Sequence, residues 1–143
     1  MKGAIQSVHV SYFVHLTEDP DRLTAAVLDI LGTSAAPDSE ELLGHHGNRI
    51  LRVTFALDGE EASSALRALA SRLDPEARAK LLDELQDLID EHSALHFRLD
   101  KQSVFGGRVK LGGKETIKVK VKPRLFLIKG GAPSLYRGLF EGA

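Results

Sequence analysis

The chain has no cysteine among its 143 residues. Disulfides and thiolate metal sites are thereby excluded, which suits a reducing cytosol. No apolar run approaches the roughly 20 residues that span a bilayer. The N-terminus, "MKGAIQSVHVSYF", is interrupted by polar residues and lacks the apolar core of a signal peptide. A cytoplasmic protein without a membrane partner is the expectation. No G-x-x-x-x-G-K-[ST] phosphate loop, G-x-G-x-x-G turn or G-x-S-x-G nucleophile motif occurs, so there is no signature of nucleotide binding or acyl transfer. The stretch "GGRVKLGGK" has the composition of a phosphate loop without its spacing or a following helix. Neither a metal nor a cofactor is expected. Internal repeats and low-complexity tracts are also missing.

Positive charge is scarce in the first two thirds of the chain and concentrated afterwards. Residues 1–95 carry 8 Lys and Arg against 17 Asp and Glu, a net of −9. Residues 96–129 carry 10 against 2, a net of +8, and the last fourteen residues hold one of each sign. The formal net charge of −1 hides this division. A basic block of this size points to an anionic partner, or equally to neutralisation of acidic helices in the same domain.

Hydrophobic periodicity supplies the architecture. Residues 4–16 alternate, with Val8, Val10, Tyr12 and Val14 on one face and His9, Ser11, Phe13 and His15 on the other, as a half-buried strand requires. "TEDPDR" then opens a helix, with Asp19 as cap, Pro20 at the first position and Gly32 as the stop. Residues 33–48 read as a loop with a short turn at Ser39–Leu43. Arg49–Leu57 is a second strand, followed by a helix to Leu73 and, from Pro75, a third helix to Glu91. Ala94–Asp100 is a strand. The glycine pairs of "KQSVFGGRVKLGGKE" signal turns around one short strand, and "ETIKVKVKP" (Glu115–Pro123) is the last clear strand.

The predicted order is β-α-β-α-α-β-(β)-β. It is an α+β fold, a mainly antiparallel sheet of about 4–5 strands with helices packed on one face. Residues 1–123 form one domain. Residues 124–143 form a C-terminal extension, with "RLFLIKGG" extended and "APSLYRGLFEGA" ordered only if it docks.

The uncovered face collects His9, Ser11, Phe13, His15, Arg52, Thr54, His96, Arg98, Lys118, Lys120 and Lys122. It is basic, carries an aromatic ring and has no acid among these positions. Cations that hold phosphates and planar groups that stack on bases make such a sheet face a platform for single-stranded RNA. The alternative is a solvated face whose lysines discourage edge pairing. "GHHGN" (Gly44–Asn48) is a second candidate, a loop whose amides, His45, His46 and Asn48 reach phosphate or sugar. A plain structural turn fits it as well. Adjacent histidines diverge, so a shared metal is poorly supported. "HLTEDP" is not read as an acid–base pair, because Glu18 and Asp19 already serve the helix start. In "RLDKQ", Asp100 pairs locally or caps a turn, and Lys101 and Gln102 lie at the strand exit.

Taken in order, "HLTED" (His15–Asp19), "GHHGN", "RLDKQ" (Arg98–Gln102) and "IKVKVKP" (Ile117–Pro123) resemble the small archaeal RNA-binding proteins described as predicted exosome subunits. The resemblance covers about residues 5–123. Arg49 stands where that family usually has proline after HGN, and Phe105 fills the aromatic position after DKQ. The resemblance implies RNA binding, no known catalysis, and a fold like that of the large-subunit ribosomal protein that binds 5S rRNA.

These readings converge on a non-catalytic RNA-binding protein, an accessory in RNA processing with RNA and exosome or ribosomal components as partners and a homodimer as one assembly. Lys118, Lys120, Lys122, Arg98 and Lys101 are assigned to phosphates, and His15, His45, His46, Asn48 and Gln102 to sugar or base. Arg49, Arg52, Arg108 and Lys110 complete the set. The reading from another class is a protein-interaction module whose basic segment docks an acidic partner or a second copy. An enzyme using His45 or His46 ranks third.

Overall fold

A computed structural model describes residues 4–15, 17–44, 47–124 and 131–142. His45, His46 and most of "RLFLIKGG" lie outside the described residues.

The first strand, β1 (Ile5–His15), alternates as its side chains demand, with Val8, Val10, Tyr12 and Val14 buried. Helix α1 (Pro20–Leu31) starts where the cap chemistry places it. The Asp19 carboxylate accepts the N–H groups of Asp21 and Arg22 at 3.1 and 3.3 Å, Pro20 needs no partner there, and Gly32 ends the helix at φ 61°.

Residues 38–43, expected as loop and turn, instead form strand β2 (Asp38–Leu43), which pairs antiparallel with β3 (Arg49–Asp58). The sequence signal failed because β2 is an edge strand with no residue fully buried, and Leu43 is 78% exposed. Without a buried face there is no period-2 pattern to read. At the closed end of this hairpin Gly44 N–H donates to Asn48 O at 2.6 Å and Gly47 N–H to Gly44 O at 2.9 Å.

Helix α2 (Gly59–Ser71) buries Ala62, Ala65, Leu66 and Leu69. The expected third helix is shorter than its apolar stripe suggests, ending at Asp83 (α3, Pro75–Asp83) with a one-turn continuation, α4 (Leu85–Leu88). After α4 the Asp90 carboxylate accepts the N–H groups of His92 and Ala94 and turns the chain into β4 (Leu95–Asp100). After β4 the "KQSVF" segment is a helical turn, α5 (Lys101–Phe105), an element that the expected order lacks. Extended pairing beyond it is limited to single bridges, Val109 to Leu73 and Leu111 to Leu99. Strand β5 (Thr116–Pro123) alternates as expected.

The five strands lie in the order β2-β3-β1-β5-β4, every neighbour antiparallel. The α+β expectation therefore holds, with the fifth strand supplied by residues 38–43. Helices cover one face. Among them is α6 (Gly131–Glu141), which docks the C-terminal extension by burying Ala132, Leu135, Tyr136 and Phe140. The Phe140 ring meets Phe97 edge-on at 5.9 Å, and Tyr136 Oη donates to Ser93 O at 2.7 Å. Removing a buried aromatic ring of this kind costs about 3–5 kcal/mol. Burial pushes the Tyr136 hydroxyl well above its ordinary value. Among the described residues no helix is long and apolar enough to cross a membrane.

Candidate nucleic-acid interface

Strand register turns the outward positions into rows that cross the sheet. His9 faces Ala56 on β3 and Lys120 on β5, and Lys120 faces His96 on β4. One row further, Thr54, Ser11, Lys118 and Arg98 lie side by side. Phe13 pairs with Arg52, and Lys122 faces Ser7. Arg52, Arg98 and Lys118 are exposed, Lys120 and Lys122 half-buried, and Phe13 is 49% exposed. Among the described residues no carboxylate lies within 4.0 Å of the cations of Arg52, Arg98, Lys118, Lys120 or Lys122. Alternation along the strands directs these side chains to the open face, away from the helix layer.

The face is not free of acids, contrary to expectation. Unrecognised β2 sets Asp38 opposite Thr54 and Glu40 opposite Arg52, and Asp58 lies opposite Ser7. Asp100 and Glu115 occupy the end of the sheet where β4 finishes and β5 begins. The cations form a central strip framed by carboxylates. His96 is partnered: its Nε2 lies 2.7 Å from Asp90 Oδ2. That bond, reinforced by two backbone N–H groups, holds the Asp90 carboxyl down to about 2.

Two hollows lie along the strip. One, between Phe13, Arg52, Thr116 and Lys118, occupies about 270 Å³. The larger, about 610 Å³, begins at His9, Lys120 and His96. It runs over the β4 edge to Leu88, Phe97 and Leu111.

Lys101 departs furthest from its expected role. Its side chain is 2% exposed, and Nζ donates to Phe13 O at 2.6 Å and to Glu18 Oε1 at 2.7 Å, with Glu115 Oε2 at 3.7 Å. Glu18 also accepts the His15 N–H at 2.9 Å, and His15 Nε2 lies 3.2 Å from Glu115. Burial acts to raise the Glu18 carboxyl, but the His15 N–H and the Lys101 ammonium outweigh it, so the net shift is downward. His15, Glu18 and Glu115 present ligand atoms within 4.8 Å of one another, a spacing that a metal could use. The Lys101 ammonium already supplies positive charge there. The pairing clasps "HLTED" to "DKQ" across 83 residues of sequence. Glu115 closes the clasp, and nothing in the sequence around it beyond the start of a strand marks that partnership.

Of the remaining expected contacts, Arg108 Nη2 lies 2.9 Å and Lys110 Nζ 4.0 Å from Asp74 Oδ2, at the start of α3 in the helix layer. Arg49 pairs with Glu41 at 3.2 Å on the β2–β3 hairpin. Asn48 and Gln102 are exposed. Asp100 accepts the Ser103 hydroxyl, and Gly113, at φ 99°, passes so close that a β-carbon there would collide with the Asp100 carboxylate. His15 pairs with Ile50, Leu43 with Arg49 and Asp100 with Thr116, so the described residues of the three motifs, among them His15, Asn48 and Asp100, gather at one end of the sheet.

A family model described as RNA binding matches residues 7–123. An RNA-binding protein of Pyrococcus abyssi (strain GE5 / Orsay) is 28% identical over 138 residues, covering 90% of each chain. Among solved structures, a protein from Archaeglobus fulgidus superposes with a TM-score of 0.79 at 29% identity, covering 94% of this chain and 99% of that one. A DUF54 protein from Methanothermobacter thermautotrophicus gives 0.74 at 26% identity, covering 96% and 98%.

Proposed function

The chain belongs to this RNA-binding family, and we propose that it binds RNA without catalysis through the central strip of its open sheet face. The observation that carries the reading is the conjunction of Arg52, Arg98, Lys118 and Lys120, which have no acid partner among the described residues, with an exposed Phe13 on one flat surface. Phosphates neutralise cations that the fold leaves without acids, and a planar ring offers a base a surface to stack on. Lys122 extends the strip at its far end. His15, Asn48 and Gln102, at the end where these motifs meet, are the proposed sugar and base contacts, and His45 and His46, outside the described residues, are proposed with them on sequence grounds.

The proposed setting is cytoplasmic RNA processing or ribosome-related assembly, in which the protein is an accessory that holds RNA for other components, exosome subunits among them. Support for a purely RNA-holding role is the occupation of the best-placed acid–base groups, His15, Glu18 and Glu115, by one another and by Lys101.

The test is RNA affinity against salt. If Lys118, Lys120 and Lys122 each neutralise one phosphate, replacing all three with Ser lowers the slope of log K on log salt by about 0.7 per contact for a single strand. An unchanged slope removes the lysine row from the interface.

A further inference from the structure

We propose that the hollow at the outer edge of β4 is a pocket for one unpaired RNA base, and that Phe13 stacks a second base of the same strand. This rests on the RNA-binding reading and narrows the ligand to RNA with bases free of a duplex.

The hollow combines two chemistries that a base requires. Its outer wall combines the apolar Leu88 and Leu111 with Lys80 and Glu84, and its inner rim carries His9, Lys120 and His96. A phosphate on Lys120 or Lys118 leaves its nucleoside free to turn toward that wall. The half-buried Leu88 and Leu111 edges would be covered by the base in place of water. His96 is held by Asp90 at 2.7 Å, so its ring is fixed in orientation.

At the other end of the strip Phe13 is a large apolar side chain left 49% exposed in the middle of a sheet. Arg52 stands opposite it and Lys118 borders the same depression. Four residues along β1 separate Phe13 from His9, about 13 Å at the rise of a strand. In the row between them the small, uncharged Ser11 is followed across the sheet by two cations, Lys118 and then Arg98. One extended backbone therefore crosses the cations while bases drop to each side. A duplex presents its bases to each other and could use only the cations.

The experiment measures binding of the full chain to an oligouridine of about twelve nucleotides, within the range of single-strand sites. It is compared with an RNA duplex of equal length and with an oligouridine carrying abasic positions. The expected result is tighter binding of the single strand than of the duplex and about tenfold weaker binding of the abasic strand. Phe13→Ala and the pocket-filling Leu88→Trp should each weaken single-strand binding several-fold with the salt slope unchanged. In the double variant the penalty for removing bases should disappear. Circular dichroism and thermal unfolding establish that both variants fold. Should Leu88→Trp fail to fold, Phe13→Ala and the abasic comparison decide alone. Equal affinity for duplex, abasic and intact strands overturns the base sites while the phosphate strip stands. Absence of binding to every RNA overturns the RNA reading itself.

Discussion

The two groups of cations in the basic segment have opposite fates. On β5, Lys118, Lys120 and Lys122 project from a strand whose other face is sealed by Ile117, Val119 and Val121, and no carboxylate among the described residues reaches them. Between β4 and β5, Lys101, Arg108 and Lys110 bend back to Glu18, Glu115 and Asp74. The same +8 segment thus neutralises acids of its own domain and also leaves a surplus on the sheet. Charge arithmetic could not separate these outcomes, because the choice is made by backbone geometry. A strand fixes alternate side chains outward, whereas a helical turn and loops let them fold onto neighbouring acids.

The largest effect expected from breaking this division is at Lys101. Lys101→Met removes the cation that satisfies Glu18 and the Phe13 carbonyl inside the fold. Stranding a buried partner costs about 3–5 kcal/mol. The urea midpoint should fall accordingly, while the salt slope of RNA binding in the surviving folded fraction stays at its wild-type value. A stable variant with a reduced slope would place Lys101 among the phosphate contacts instead.

How much of this could be read beforehand differs between the two groups. The β5 row was legible because period-2 alternation states directly which side chains face out. The open face and most strands followed from the same rule. The Lys101 clasp was not legible: its partners lie 83 and 14 residues away, and only the closing of β1 against β5 brings them together. Strand β2 escaped for a different reason. Its side chains are exposed or half-buried, so nothing in its composition distinguishes it from a solvated loop. That omission also hid Glu40 beside Arg52 and made the face look free of acid. Helix α5 was missed because the glycines after it outweighed five residues of weak helical signal.

A smaller effect is expected in acid. The Glu18 carboxyl is held below its usual 4.5, the cost of burial being outweighed by the His15 N–H and the Lys101 ammonium. The unfolded chain therefore binds a proton at a higher pH than the folded one does. The stability that Glu18 contributes is complete above the unfolded value and is lost as pH falls through the folded one. Glu18→Gln should thus lower the urea midpoint near neutral pH, and its gap from wild type should narrow as pH falls below the usual carboxylate value of 4.5. A gap that stays constant across that range would mean that the Glu18 charge contributes nothing to the clasp.

The smallest effect separates surface pairing from RNA contact. Arg108 is 62% exposed and its partner Asp74 22%, so their ion pair is worth no more than about 1 kcal/mol. Arg108→Ser should shift the urea midpoint slightly and leave the RNA salt slope as it is, in contrast to Lys118→Ser, which should do the reverse. The comparison is sharp because each substitution removes one positive charge from the same basic segment. If net charge alone governed RNA binding, both would weaken it equally. Unequal slopes, with the larger change at Lys118, would show that position on the sheet decides which cations meet phosphate.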